Sequence, residues 1–376
     1  MRVVLIGNHP ADRQESMLRF TSCLADELNK RGIEAEILAP APIATRLAGS
    51  FGTALKWLAY VDKFVIFPFK LRRRVRNADG DTVFHIIDHS NAMYVRELGG
   101  RKHLVTCHDL LAVRGALGDP EAYCEISSTG KLLQRWIRHG LGRARNIACV
   151  SMVTAGDFRR LIGDFSGWLV VVPNGLNSFY HRIELDEAWA RLAGYPLQAE
   201  VHFILSIGSS QLRKNREGAV RILHRLGSRF PGFLVFAGDP LTPAQKALVD
   251  SLNLTDRIVD LGPVGNPQLE ALYSAAHALL FTSKAEGFGW PVLEAQACGC
   301  PVVCSDRTSI PEVAGEGAFI HDVGDEAGFA ESIIKLCDPV VWDAQSRRGL
   351  ANAGRMTTEG MVDNYIALYR QVLAGE

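Results

Sequence analysis

Short apolar runs alternate along this chain with longer segments whose apolar residues recur every three or four positions. The short runs predict strands of a parallel sheet, because such strands are covered on both faces. The longer segments, such as 16–30, 132–141 and 269–276, have the spacing of helices. The predicted strands are 2–7, 34–39, 82–87, 103–107, 146–150 and 168–172 in the first half, and 203–207, 233–237, 258–261, 302–304 and 318–321 in the second. Strand, helix and strand in this order predict an α/β protein with doubly wound sheets.

The length of 376 residues is enough for two domains of ordinary size. The sequence PNG at 173–175 closes the last predicted strand of the first half, and the stretch after it is polar and irregular with one short helix. We therefore expect a first domain over 1–175, a linker over 176–198 and a second domain over 199–356.

Charge and cysteine content exclude several classes of protein. Lys and Arg number 41 and so do Asp and Glu, so nothing indicates nucleic acid as the main partner. The eight cysteines show no disulfide framework, and Cys298, Cys300 and Cys304 lack the spacing of a zinc site. The chain opens on an apolar strand without a signal peptide, and it has no apolar run long enough to span a bilayer. We expect a cytoplasmic protein without a metal.

The stretch 281–305, FTSKAEGFGWPVLEAQACGCPVVCS, predicts a strand, a glycine turn, a short helix and a second strand. Gly287 and Gly289 allow the backbone to approach a ligand, and Pro291 fits the first turn of a helix. A helix start also attracts phosphate. Glu286 lies on the turn and Glu294 about one helical turn inside, so one carboxylate can face a sugar and the other a ribose. The alternative is a tight turn between strand and helix with two solvated glutamates.

The sequence EGFGWPVLE resembles the paired-glutamate signature of family 4 of the retaining GT-B glycosyltransferases, which use nucleotide sugars. The resemblance implies an α/β fold of the GT-B type, with two doubly wound Rossmann-like domains facing across a cleft. It also implies that the C-terminal helix 357–376 packs back on the first domain. The implied reaction is hexosyl transfer from a nucleotide diphosphate sugar with retention at the anomeric carbon.

Two adjacent cations, Arg213 and Lys214, follow the strand end that carries Gly208 and Ser209. Such a pair suits a diphosphate, because lysine is a compact charge and arginine a bidentate donor. The family usually has this lysine, and many members add an arginine directly after the glycine. Here Ser209 stands at that position, so Arg213 either shares the phosphate charge or is a surface residue.

The resemblance assigns a role to each matching residue. It implies that Lys214 and Arg213 hold the diphosphate, Glu286 the sugar hydroxyls and Glu294 the ribose, and that the backbone near Val264 meets the base. The donor site would consist of Gly208, Ser209, Val264, Gly287, Phe288, Gly289, Trp290, Val292 and Glu294, with backbone N–H groups near Trp290 and Val292 assisting. We expect no cofactor and no metal, because the cations neutralise the leaving diphosphate.

Histidine candidates lie at strand ends of the first half. The run VTCHDL delivers His108 and Asp109 to the carboxyl end of a strand, where open α/β sheets bind ligands. The resemblance makes His108 the histidine that contacts the transferred sugar; the alternative is a core histidine. Weaker acceptor-side candidates are Asn8, His9, His89 and Asp109.

Residues 51–76 mix aromatic and aliphatic residues and end in a basic run. This composition indicates either peripheral contact with anionic headgroups or a core helix with a solvated basic end. The first suits an enzyme on the inner face of the membrane. We expect the acceptor to be a glycan or a lipid-linked precursor of a cell-surface polysaccharide. Two other hypotheses remain open: a catalytically silent GT-B protein that binds a sugar nucleotide and partners another enzyme, and a GT-B epimerase or hydrolase.

Overall fold

The computed structural model of the protein describes residues 1–12, 14–47, 52–163, 165–199 and 201–375. It contains two parallel six-stranded sheets with helices between the strands. The strands of the first sheet are β1 (Arg2–Ile6), β2 (Glu34–Leu38), β3 (Thr82–Ile86), β4 (His103–Cys107), β5 (Asn146–Cys149) and β6 (Trp168–Val171). Those of the second are β7 (Phe203–Gly208), β8 (Phe233–Gly238), β9 (Ile258–Asp260), β10 (Ala278–Phe281), β11 (Val302–Ser305) and β12 (Ala318–His321).

The strand orders are β2-β1-β3-β4-β5-β6 and β12-β11-β10-β7-β8-β9. Each order reverses direction beside the first strand of its sheet, as in doubly wound folds. The prediction of doubly wound α/β sheets is therefore confirmed. The apolar runs form the strands because the helices on both faces cover them, and Val3, Val4 and Leu5 of β1 are fully buried.

The helices follow the predicted periodicity. They are α1 (Glu15–Lys30), α2 (Gly52–Val61), α3 (Phe67–Arg76), α4 (Leu111–Ala116), α5 (Ser128–Arg143), α6 (Met152–Ile162), α7 (Leu185–Arg191), α8 (Arg216–Leu226), α9 (Pro243–Ser251), α10 (Asn266–Ala275), α11 (Trp290–Ala297), α12 (Ile310–Ala314), α13 (Glu326–Lys335), α14 (Pro339–Ala353) and α15 (Thr358–Ala374). Helix α6 begins after Ser151, whose hydroxyl accepts from the backbone N–H of Thr154.

The chain divides into two compact units. The first contains Met1–Gly118, Glu125–Asn177 and Thr358–Glu376, and the second contains Asp119–Cys124 and Ser178–Thr357. Helix α15 thus belongs to the first unit, where it packs on the sheet through buried tyrosines. The hydroxyl of Tyr369 lies 2.7 Å from Nδ1 of His85 on β3, and that of Tyr365 lies 2.9 Å from the hydroxyl of Thr106 on β4.

The segment 51–76 forms α2 and α3, joined by the π-helical turn Asp62–Ile66, which we call the π-turn. Residue 51 lies outside the described residues. One face of the segment is core, since Phe67 and Leu71 are buried, whereas Trp57 and Phe69 are exposed. Within the described residues, no helix is both long and apolar enough to cross a membrane.

Candidate functional site

The candidate site of the second unit lies where β7 and β10 end. The backbone of Gly208 has a φ of 133°, and Gly238 of the neighbouring strand has a φ of 127°. A Cβ at Gly238 would stand 2.3 Å from the carbonyl oxygen of Gly208, so only glycine allows the two strand ends to lie this close. The side chain of Lys214 packs directly over Gly208, with its Cε 3.2 Å from the position of a Cβ.

Arg213, Lys214 and Glu286 form an ion cluster at this edge. Nζ of Lys214 lies 2.6 Å from Oε1 of Glu286, and Nη1 of Arg213 lies 2.8 Å from Oε2. Backbone contacts fix the arginine, because the N–H of Lys284 donates to the Arg213 carbonyl over 2.6 Å. The cluster has two cations and one carboxylate, so it carries a net positive charge that can accept an anion.

Burial and neighbouring charges act on these groups in opposite directions. Burial favours the neutral carboxyl of Glu286, but the charges of Lys214 and Arg213 outweigh it and hold the pKa at about 2. Burial lowers the pKa of Lys214, although the carboxylate of Glu286 opposes this. Glu286 is therefore an anion at neutral pH, and its charge favours the ammonium form of Lys214.

Two residues of the loop after β11 form hydrogen bonds with the glycine turn. The backbone N–H of Glu286 donates to the hydroxyl of Thr308 over 2.9 Å, and Thr308 itself has a left-handed φ of 52°. The hydroxyl of Ser309 donates to the carbonyls of Glu286 and Phe288, at 3.0 and 2.9 Å. Neither residue was found by sequence reasoning, because nothing in 306–309 distinguishes these side chains from an ordinary loop.

Helix α11 begins directly after this turn. Gly289 has a φ of 106° and precedes the first residue, Trp290, and Pro291 occupies the first turn as predicted. The N–H of Val292 already donates to the carbonyl of Gly289 over 3.0 Å. This N–H therefore closes the first turn of the helix.

Glu294 points from the second turn of α11 toward α10. Its side chain is buried, and its Oε2 accepts from the hydroxyl of Tyr273 over 2.8 Å. The alternative of two solvated glutamates is thus wrong for both carboxylates, since Glu286 is buried as well. Sequence reasoning missed Tyr273, although a tyrosine in an apolar helical stripe signals that its hydroxyl needs a partner.

Arg216 is a second residue that the sequence did not single out. Its guanidinium is buried and donates to the carbonyl oxygens of Asp239, over 2.6 Å, and Gly208, over 3.1 Å. It also lies 4.9 Å from the ring centroid of Phe236. It therefore ties the ends of β7 and β8 together beneath the loop that contains Ser209. Val264 follows β9 in a half-buried loop, next to Gly262, whose carbonyl accepts from the N–H of Gly238.

His108 lies at the carboxyl end of β4 in the first unit and is buried. One ring nitrogen, Nε2, lies 3.0 Å from the carbonyl oxygen of Ile87, and the edge of the ring meets Phe20 at a centroid distance of 5.1 Å. Burial lowers its pKa to about 4, although the charge of Asp88 opposes this. The imidazole is therefore neutral at pH 7, with its Nε2–H donating to the carbonyl oxygen of Ile87.

Beside it, a buried polar network joins the ends of β1 and β3. Asn8 donates to Oδ2 of Asp88 over 2.6 Å and accepts from Asn91 over 2.9 Å. Nδ1 of His89 lies 3.2 Å from Oδ1 of Asp88. Burial acts against both charges, but the hydrogen bonds and mutual attraction prevail, so the pKa of Asp88 is lowered and that of His89 is raised. Asn8 and His89 thus lie in one network.

The other two acceptor-side candidates have local structural contacts. The His9 ring is buried, with Nδ1 accepting from the N–H of Ala11 and Nε2 3.6 Å from Oδ2 of Asp62. Asp109 accepts from the N–H of Leu111 and so closes the turn into α4. These contacts favour a structural role for both side chains.

Three cysteines lie around helix α11. Cys298, Cys300 and Cys304 are buried, and burial raises the pKa of each thiol. In the part of the chain that the structure describes, no group of three or more His, Cys, Asp or Glu side chains is arranged to hold a metal ion.

Family models match both halves of the chain. The model for Glycosyltransferase Family 4 matches residues 19–178, and the model for Glycosyl transferases group 1 matches residues 193–355. The boundary between the two matches falls in the stretch between β6 and β7.

Curated relatives are glycosyltransferases by name. The chain is 30% identical over 217 residues to the D-inositol 3-phosphate glycosyltransferase of Acidothermus cellulolyticus. The match covers 54% of this chain and 48% of that protein. It is 28% identical over 284 residues to the enzyme of the same name from Segniliparus rotundus, covering 72% and 61%. It is 29% identical over 177 residues to O-antigen chain mannosyltransferase B of Escherichia coli, covering 45% of each. The matches thus span about half to three fifths of these relatives' lengths.

Solved structures share the fold over the whole chain. Sucrose-phosphate synthase from Thermosynechococcus elongatus superposes with a TM-score of 0.75 at 19% identity, covering 100% of both chains. Anabaena HepE, solved in complex with UDP and glucose, superposes with a TM-score of 0.71 at 17% identity, covering 98% of both. The fold is therefore of the GT-B type, with two Rossmann-like domains, as the sequence predicts.

Proposed function

This chain belongs to family 4 of the GT-B glycosyltransferases, and we propose that it transfers a hexose from a nucleotide diphosphate sugar to a glycan or a lipid-linked acceptor. The observation that carries the proposal is the ion cluster of Arg213, Lys214 and Glu286 beside the start of α11. It is positive overall, and its carboxylate is buried while its two cations are half-buried, so it suits a diphosphate whose negative charge grows as the bond to the sugar breaks.

The donor is proposed to lie along the carboxyl edge of the second sheet. Lys214 and Arg213 would stabilise the leaving diphosphate, Glu286 would also accept from sugar hydroxyls, and Glu294 would accept from the ribose. UDP and GDP are the carriers to test first. One supporting observation is that HepE, which shares the fold, was solved with UDP and glucose. Another is that a relative is named a mannosyltransferase. Retention at the anomeric carbon and a role of His108 toward the sugar belong to the same proposal.

The acceptor proposal is a precursor of a cell-surface polysaccharide, reached at the inner face of the membrane. It is supported by the relative named for O-antigen chains and by the basic run of α3, which includes Arg72, Arg73 and Arg76. Flotation with anionic vesicles tests the membrane contact. Replacing these arginines by glutamine should abolish flotation, and unchanged flotation would contradict the contact.

A thermal-shift panel with UDP, GDP, ADP and their common sugars tests the donor site. A carrier should raise the melting temperature of the wild type but not of Lys214→Ala or Glu294→Ala. Lys246→Ala on α9 is the matched control, because Lys246 is exposed and distant in sequence from the cluster. Stabilisation that persists in Lys214→Ala would contradict the assignment.

Turnover separates the proposal from its rivals. With the stabilising donor and a candidate acceptor, the wild type should release the nucleotide only as product forms. Release without an acceptor would indicate a hydrolase, and tight binding without release would indicate a silent partner protein. Glu286→Ala, Lys214→Ala and His108→Ala proteins that fold and transfer at the normal rate would refute the proposed roles.

A further inference from the structure

An open groove lined by aromatic side chains runs between α5 and the segment formed by α2 and the π-turn in the first unit. We call it the aromatic groove; its volume is about 770 Å³, and its lining is Trp57, Tyr60, Phe64, Thr129, Leu132, Leu133, Arg135, Trp136 and His139. This volume lies within the range of about 300–1,000 Å³ that is typical of ligand sites. Exposed apolar surface of this kind marks a place of interaction.

Four aromatic rings follow one another along the aromatic groove. The ring centroids of Trp57 and Tyr60 are 5.8 Å apart, those of Tyr60 and Phe64 5.4 Å, and those of Phe64 and Trp136 5.2 Å. The row therefore extends from α2 through the π-turn to α5. Leu132 adds an aliphatic side chain that is 59% exposed. A continuous row of this length suits an elongated apolar ligand.

The two segments that contribute to the aromatic groove are rich in basic residues. The segments 52–76 and 128–143 contain eleven Lys or Arg residues and one acidic residue, whereas the whole chain has 41 of each sign. The acidic residue, Asp62, is buried and accepts from the backbone N–H groups of Ala44 and Thr45. Arg135 lines the groove itself, and Lys131 and Arg138 line the neighbouring pocket along α5. The chemistry that complements this surface is a hydrocarbon chain with an anionic head.

Both walls of the aromatic groove pack on the segment His89–Leu98, which starts at the carboxyl end of β3. The Tyr94 hydroxyl donates to the carbonyl of Lys63 in the π-turn over 3.0 Å. On the other wall, a Cβ at Gly140 of α5 would stand 2.3 Å from the carbonyl of Ala92. The groove is thus joined to the sheet edge where open α/β folds bind their ligands.

We propose that the aromatic groove holds the hydrocarbon chain of a lipid-linked acceptor, with Arg135 contacting the phosphate that follows the chain. This inference rests on the proposed transferase function, because a transferase requires an acceptor. A flat bilayer surface is the less suitable occupant. Insertion into a bilayer needs protruding side chains, whereas these rings line a concavity and contact one another.

Farnesyl phosphate, a fifteen-carbon prenyl monophosphate used below its aggregation limit, is the probe. Isothermal titration calorimetry on the full chain should show that it binds at least tenfold more tightly than farnesol or inorganic phosphate. Trp136→Ala and Leu132→Ser should each weaken binding at least tenfold. Trp168→Ala is the matched control for tryptophan, because Trp168 is 38% exposed and Trp136 37%.

A second pair of variants tests the charge. Arg135→Gln should weaken the binding of farnesyl phosphate at least fivefold. It should leave the affinity for farnesol unchanged, since farnesol has no phosphate. Arg159→Gln on α6 is the control, because Arg159 is also exposed, lies in the same unit and is outside the groove lining. Circular dichroism checks that every variant is folded.

Three results would overturn the inference. One is binding of farnesyl phosphate that is equal in the wild type and in both Trp136→Ala and Leu132→Ser. Another is binding to anionic phosphatidylglycerol vesicles with none to monomeric farnesyl phosphate, which would assign the surface to the bilayer instead. The third is a sample that binds UDP or GDP but not farnesyl phosphate, which would refute this inference and leave the proposed donor site intact.

Discussion

Replacing Tyr273 by phenylalanine removes one oxygen atom from the donor side of the second unit. That oxygen donates to Oε2 of Glu294 over 2.8 Å, and both side chains are buried. The bond therefore orients the Glu294 carboxylate, which is the group proposed to accept from the ribose. A hydrogen bond to a charged group contributes about 1.5–3 kcal/mol, and 1.4 kcal/mol corresponds to about tenfold in affinity. If half of the upper value is lost from ribose binding, nucleotide affinity should fall roughly tenfold.

Affinity for deoxynucleotides separates positioning of Glu294 from a general loss of stability. Calorimetry gives the dissociation constants of UDP and GDP and of their 2′-deoxy and 3′-deoxy forms. The wild type should prefer a ribonucleotide, and Tyr273→Phe should lose most of that preference. Tyr195→Phe is the control, because Tyr195 is half-buried in the same unit. A variant that melts earlier but keeps the wild-type preference for ribonucleotides would refute this reasoning.

Three further perturbations have directions that follow from the structure. Gly208→Ala should weaken nucleotide binding in a titration, because a φ of 133° strains alanine by about 1–3 kcal/mol and its Cβ would press on Lys214. Ser309→Ala should lower the melting temperature by leaving two carbonyls without this donor, at about 1–3 kcal/mol; an unchanged temperature would contradict it. Since the pKa of His89 is raised, its contribution to stability is complete below about pH 6.5 and is lost at higher pH. His89→Gln should therefore melt with less dependence on pH between 6 and 8 than the wild type.

The sequence predicted the elements of this fold because their signals are local. Short continuous apolar runs located the strands, and apolar residues every three or four positions located helices. The sequence EGFGWPVLE located the turn before α11 together with both glutamates. Contacts between distant segments have no such signal. The hydroxyl of Ser309 donates to the carbonyl of Glu286, which lies 23 residues earlier in the chain. No spacing rule connects a loop serine with the turn that follows an earlier strand.

The segment 51–76 shows the same limit in another form. Its composition left two alternatives, peripheral contact with anionic headgroups and a core helix with a solvated basic end. In the structure one face of the segment lies in the core and another is exposed. The change occurs at the π-turn, where five residues of wider helix shift the apolar stripe so that Phe67 and Leu71 enter the core while Trp57 stays exposed. Apolar periodicity at 3.6 residues per turn cannot predict such a shift, because it assumes one helical repeat throughout.

The cations at the candidate donor site include one pair that the sequence singled out and one arginine that it did not. Arg213 and Lys214 are adjacent to a glycine in sequence, so their role could be predicted, whereas Arg216 has the appearance of any solvated charge at a helix start. In the fold, Arg216 is buried and bonded to carbonyl oxygens, and the carboxylate of Glu286 contacts both Arg213 and Lys214. Arg213, Lys214 and Glu286 together carry one net positive charge, whereas Asp260 and Asp239 act on the charge of Arg216. A net positive ion cluster would suit the anionic diphosphate of the proposed donor although Ser209 stands where an arginine was expected.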